Sequence, residues 1–266
     1  MNATTIPAIS FVLTTAADAF KHSYSVEAGL ADNVNHFDHH KSEHRHFPSP
    51  CNNPAITSRV ESGTCAITHI DADTFVGCLR LVGGEIPSLD LELMQHIDLN
   101  GSSVISNPLD NDTYHYMVGI GQIARDLKFP RSDKEQDIDV SGIISDMMSI
   151  PWTEIVAVGR ESTLKSEQDY EFCSMEAMNG VLLIRCDSYH AIDPSRGYKD
   201  GYHTVVIYRK HYKSISIYTS PRNDKVVKGE WAGIVFDGHP KACGSPRGEE
   251  MSFSKAVAVY EALAAS

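Results

Sequence analysis

The stretch "AITHIDADTFVGCLRLVGG" (66–84) changes its pattern twice. It opens apolar, and with Cys65 in front the run Cys65–Thr68 reads as a short buried strand. His69, Asp71 and Asp73 follow in alternation, so an extended segment points both carboxylates the same way. From Thr74 the apolar residues take helical spacing, and Gly83-Gly84 close a helix over 74–84. Strand, acid-bearing turn and helix make one β-turn-α unit.

Upstream, Ile9–Thr14 reads as a strand, 16–29 as a short helix, and Val34–Phe37 as a short strand running into Asp38-His39-His40. Pro and Asn make 48–54 a loop. Downstream, the apolar residues at 89, 93, 94 and 97 give helical spacing over 88–99, and 114–127 and 140–150 read as further helices. Alternating strands and helices predict an α/β fold with a largely parallel sheet in an N-terminal domain, residues 1–150. Pro151 marks its end, and 151–178 reads as a connecting helix. Four β-rich runs (180–186, 203–209, 214–219, 233–236) and a terminal helix (253–265) predict a smaller α+β domain over 179–266. There is no internal repeat.

The 266 residues can bury a substantial core, and 42% hydrophobic with 22% charged is ordinary globular usage. The net charge of −12 argues against a track for long nucleic acid, which needs Lys and Arg against the phosphates. A small phosphorylated substrate stays open where metal ions supply the positive charge. No apolar run is long enough to span a bilayer, and the N-terminus has no basic region before its apolar stretch, so it reads as a strand rather than a signal peptide. Six scattered cysteines (51, 65, 78, 173, 186, 243) without a C-x-x-C pair read as free thiols, and the expected location is the cytoplasm.

"VNHFDHHKSEHRH" (34–46) holds five histidines and two acids in thirteen positions, more imidazole than a polar loop needs. Ligands of an open α/β sheet bind beyond the carboxyl ends of its strands. Two predicted strands deliver Asp38, His39 and His40, and His69, Asp71 and Asp73, to such ends. Mixed imidazole and carboxylate donors suit Mn, Zn or Fe, and carboxylate-rich ones lean to Mn or Mg. Two such clusters can hold two ions roughly 3.5–4 Å apart, an arrangement that activates water and clamps a phosphoryl group.

These residues carry a resemblance. "FDHH" (37–40) resembles the signature of the DHH phosphoesterase family, and "THIDADTFVG" (68–77) its H-x-D-x-D metal motif. "FDGHPKACGSPRG" (236–248) is similar to the GGHPxAAG motif of that family's associated C-terminal domain. The order differs, because Asp-His-His here precedes H-x-D-x-D, as a permuted sheet would have it, and Thr74 stands where the family often has glycine. The resemblance implies a two-domain hydrolase of phosphodiesters or phosphoanhydrides with two divalent cations, Mn first and Mg, Zn or Fe as alternatives. It implies His39, His69, Asp71 and Asp73 as metal ligands, with Asp18 and Asp98 as candidates for two further acids. Asp38 would orient His39 and His40 would face the substrate phosphate. Gly238, His239, Lys241, Gly244 and Arg247 would bind the rest of the substrate.

His44 and His46 can extend the metal site, grip a phosphate, or simply flank the site as a polar loop. His96 reads as structural, and "GIGQ" (119–122) lacks the third glycine and preceding strand of a dinucleotide fingerprint. The expected activity is metal-dependent hydrolysis of a small nucleotide or short oligonucleotide, with a homodimer open as the assembly. A metallohydrolase acting on a non-phosphate substrate and a non-catalytic metal-binding protein are the rival readings.

Overall fold

The computed structural model describes residues 9–39, 42–44, 46–59, 61–105, 107–130, 137–188, 192–246 and 248–266, without the side chains of Ser42, Ser103 and His239. The fold is α/β, with two mixed sheets and seven α-helices among the described residues. The chain divides into two compact units, Met1–Leu99 with Pro108–Glu161, and Asn100–Asn107 with Ser162–Ser266.

In the first unit the strands are β1 (Ile9–Leu13), β2 (Tyr24–Val26), β3 (His36–Phe37), β4 (Gly63–Ile67) and β5 (Ile138–Asp139). Its helices are α1 (Ala72–Val82), α2 (Leu91–Asn100), α3 (Asp112–Asp126), α4 (Ser141–Ser149) and the first part of α5 (Trp152–Phe172). The sheet order is β3-β2-β4-β1-β5. β3 and β2, β2 and β4, and β4 and β1 run parallel, while β5 is antiparallel to β1. β4 thus lies between β1 and β2, with its carboxyl end beside that of β2. Phe11, Leu13, Val26, Phe37, Cys65 and Ile67 fill the core of this sheet, and Phe75, Val76, Met94, Tyr116, Ile120 and Ile155 join the helices to one another.

The expected helix over 16–29 is replaced by a single 3-10 turn at Ala19–Lys21 and the strand β2. All three residues of β2 are buried, and Tyr24 and Ser25 pair with Cys65 and Ala66. The central slot between two strands rewards Tyr and Val for filling both faces, which outweighs a weak helical preference.

The second unit begins its sheet inside the expected connecting helix. α5 stops at Phe172, and β6 (Ser174–Met178) folds back on β7 (Val181–Cys186). The connection is Asn179-Gly180, both with positive φ (50° and 76°), the pair a two-residue hairpin prefers. After α6 (Ser195–Lys199) come β8 (Thr204–Arg209), β9 (Ser214–Thr219), β10 (Gly229–Trp231), β11 (Ile234–His239), β12 (Ala242–Gly244) and α7 (Phe253–Ala264). The seven strands lie in the order β10-β11-β12-β9-β8-β7-β6, and only β7 and β8 run parallel. One face buries Val206, Ile215, Ile217 and Phe236 with Val259 and Leu263 of α7, and the other buries Leu182, Ile184, Val205 and Ile207 with Tyr170 and Ile192.

Candidate metal centre

Three neighbouring strands end at one place. β2 delivers Glu27, β3 delivers Asp38 and His39, and β4 leads through Thr68 to His69 and Asp71. Glu27 has φ of 52°, a conformation that a side chain with Cβ seldom adopts. It is held on both sides: its amide donates to the Phe37 carbonyl (2.9 Å) and its carbonyl accepts from the Thr68 hydroxyl (2.8 Å). The backbone turn aims the carboxylate inward, and the side chain is 1% exposed.

Asp71 caps α1, accepting from the amide of Thr74 at 2.9 Å, and its other oxygen lies 3.0 Å from Nε2 of His69. Asp73, in the first turn of α1, accepts from the amide of Cys51 at 2.6 Å through Oδ1. Its Oδ2 faces His39. Nε2 of His39 lies 3.6 Å from Glu27, 3.5 Å from Asp73 and 3.4 Å from Asp98, which α2 contributes. The Ser49 hydroxyl sits 3.1 Å from Nδ1 and 3.4 Å from Nε2 of the same ring. Asp38 Oδ2 accepts from the amide of Gly29 at 2.7 Å, and its Oδ1 is 3.9 Å from Nδ1 of His44.

Glu27, His39 and Asp73 each present a donor atom within 4.8 Å of the other two, and all three are buried. Ligand atoms about 2.1 Å from a shared ion stand roughly 3.0 Å apart at octahedral corners and about 3.4 Å at tetrahedral ones. The separations from His39, 3.6 and 3.5 Å, lie slightly beyond that range and are too long for good hydrogen bonds. The residues fit a divalent cation, and the electrostatics agree. Burial pushes the Glu27 carboxyl well above the usual range, and the charges of Asp73, Asp38, Asp71 and Asp98 push it further. Asp98 is raised by burial too, despite its bond to His39. Burial opposes a charge on His39, but Asp73 and Asp98 overcome it and raise the imidazole to about 10. His69 is likewise raised to about 9, Asp71 outweighing its desolvation. The same His69 charge holds Asp71 well below the carboxylate range against burial. Five acids crowd two histidines here, an imbalance a bound cation relieves.

Of the residues expected from sequence, the fold therefore brings His39, Asp73 and Asp98 together, with Asp38 holding the next turn and His69 bonded to Asp71 at the half-exposed rim. Asp18 follows β1, one strand further along; its carboxylate accepts from Thr15 at 2.9 Å and pairs with Lys21. His40 lies outside the described residues. His46 is exposed against the ring of Phe47, and His96 is exposed on α2. Glu27 escaped the sequence reading. Its one signal is position, an acid directly after a buried "YSV" run, and that was obscured by reading the segment as helix. A cavity of about 860 Å³ among the helices contains none of these residues and is lined by Ile9, Phe11, Leu79, Tyr116, Met148 and Trp152.

In the second unit, Gly238 and His239 end β11 and Gly244 lies on β12, joined by a tight turn at Pro240-Lys241. The Lys241 ammonium donates to the Pro221 carbonyl at 2.9 Å. Gly238 has φ of 134°, and a Cβ there would meet the Ala242 carbonyl at 2.9 Å. Arg247 and the His239 side chain lie outside the described residues. No helix among the described residues is long and apolar enough to cross a membrane.

No family model and no curated protein matches the chain. Among solved structures it is similar to a pGpG-specific phosphodiesterase, PggH of Vibrio cholerae, at 16% identity and a TM-score of 0.39, over 66% of this chain and 65% of that one. It is also similar to an exopolyphosphatase-related protein of Bacteroides fragilis at 16% identity and a TM-score of 0.26, over 56% and 49%. The chain thus spans less than two-thirds of either protein. Both scores lie below 0.5, so these likenesses carry neither fold nor activity across.

Proposed function

We propose that the protein is a divalent-metal-dependent phosphoesterase that cleaves a phosphodiester or phosphoanhydride in a small nucleotide or short oligonucleotide. The observation that carries this reading is the buried Glu27–His39–Asp73 triad at the carboxyl ends of parallel strands, with Asp98 beside it. The resemblance of residues 37–40, 68–77 and 236–248 to the DHH phosphoesterases supports the same reading.

Glu27, His39 and Asp73 would hold the first ion, and Asp71, Asp98 and His69 would hold a second. When bound, Mn or a related cation supplies positive charge for the phosphate oxygens and acidifies water. The chain's own contribution is order. Ser49 and Asp38 hold the imidazole strand end in place, Thr74 fixes Asp71, and the Cys51 amide fixes one oxygen of Asp73 so that the other faces inward. In the second unit, the β11–β12 hairpin, with Lys241, would bind an anionic or nucleotide group.

The test is turnover of bis-p-nitrophenyl phosphate and of a dinucleotide in added Mn. Asp73→Ala should reduce both to background, since a carboxylate ligand is lost, whereas His44→Ala should keep most of the rate. Tight Mn binding without turnover of either substrate would make this a metal-binding protein and end the phosphoesterase reading.

A further inference from the structure

Two thiols of the second unit face each other where nothing in the proposed activity needs them. The last residue pair of the β6–β7 ladder is Ser174 opposite Arg185, so the next step outward sets Cys173 against Cys186. Residues directly opposite in an antiparallel pair have Cα atoms roughly 4.5–5.5 Å apart, inside the span a disulfide bridges. Cys173 packs on the same apolar cluster that buries Cys186, so both side chains lie on one face of the hairpin. Both are free thiols. Their exposures differ: Cys186 is fully buried and Cys173 is half-buried.

We propose that Cys173 and Cys186 are a reversible thiol–disulfide site, oxidised by hydrogen peroxide or a peroxide of its class. The hydrogen bond between the two thiols brings Cys186 down to about 7 against its burial and holds Cys173 far above the ordinary thiol value, so the pair loses one proton readily and keeps the second between the two sulfurs. Cys173 is the sulfur a peroxide can reach. With the proton passed across to Cys186, the Cys173 thiolate attacks the peroxide; an S–O bond forms, the O–O bond breaks, and hydroxide leaves to become water. Cys186 then attacks the Cys173 sulfur, the S–S bond forms, the S–O bond breaks, and the second oxygen leaves as water. Two thiols and one peroxide give one disulfide and two waters, and both thiol protons end in the water.

Cys65 and Cys78 provide an internal contrast. They also adjoin, since the Cys65 thiol helps raise Cys78, but both are fully buried and closed to peroxide. The experiment treats the full chain with hydrogen peroxide, blocks remaining thiols with iodoacetamide after unfolding, and maps peptides by mass. The expected result is a loss of about 2 Da in a peptide pair joining Cys173 to Cys186, restored by dithiothreitol, with Cys65 and Cys78 alkylated. Cys186→Ser should divert Cys173 to a sulfenic acid trapped by dimedone, and Cys173→Ser should leave Cys186 reduced. Wild-type chain in which Cys173 proceeds to sulfinic acid unpaired, or joins any cysteine but Cys186, overturns the proposal. That result is decisive whether or not either variant folds.

Discussion

Glu27 shows how much a single residue can depend on its neighbours. Its left-handed backbone is stabilised only because Phe37 and Thr68 bind it from both flanks, and the reward is a buried carboxylate beside His39. Glu27→Gln keeps shape and removes charge, so Mn affinity measured by titration calorimetry should fall at least about tenfold. Ser49→Ala, which frees Nδ1 of His39, should cost roughly 10–100-fold, the usual effect of losing a ligand's outer partner. Equal affinity in both variants would move the ion elsewhere. Asp32 has a humbler role: its Oδ1 accepts from the amides of Val34, Asn35 and His36 and shapes the approach to β3. Although burial opposes it, these amides hold the carboxyl below its ordinary value. A depressed folded value means the stabilisation is present above the unfolded value of 3.8 and is lost as pH falls through the folded one. Asp32→Ala should therefore cost about 0.5–1 kcal/mol at pH 7, solvent screening included, and that deficit should shrink toward pH 3 in urea melts.

At the scale of elements, α3 and α5 touch backbone to backbone. A Cβ on Gly159 would stand 1.6 Å from the His115 carbonyl oxygen, and one on Gly119 would stand 2.1 Å from that of Ile155. "GIGQ" is therefore a helix-crossing motif, as far as its first glycine goes. Gly159→Ala must push the helices apart and should destabilise by about 3 kcal/mol, the high end of overpacking. Gly142 on α4 offers the opposite case, with no atom within 4 Å of its added Cβ. Gly142→Ala should stabilise by about 0.5–1 kcal/mol through helix propensity and the unfolded chain. Thermal melts of the two variants should move in opposite directions; a shared direction would refute the contact geometry.

For the whole molecule, the excess of acids at one end of the first sheet would couple the binding of a metal there to folding. An ion bound only by the folded chain at a hundred times its dissociation constant adds about 2.7 kcal/mol. For a unit of this size that is a rise of roughly 5–10 °C in Tm. Manganese should produce that rise in the wild type and none in His39→Ala, read by calorimetry. A shift that survives the substitution would place the stabilising ion away from the triad.

Much of the chemistry was legible before any coordinates. The α/β class and the boundaries of most helices follow from local periodicity, and the crowding of acids and histidines at 38–39 and 69–73 is plain from residue type alone. His39, Asp73 and Asp98 were named from their types and from family likeness, without knowledge of how near they lie. What tertiary structure alone decided is adjacency. β4 slots between β1 and β2, and this pairing turns "YSV" into a strand and puts Glu27 beside residues a dozen and forty-six positions away. Local propensity cannot express that choice, because burial on both faces of a central strand is conferred by neighbours distant in sequence. The β6–β7 hairpin is the counter-example: its Asn-Gly turn was written locally, and only the helical reading of the residues before it hid the signal.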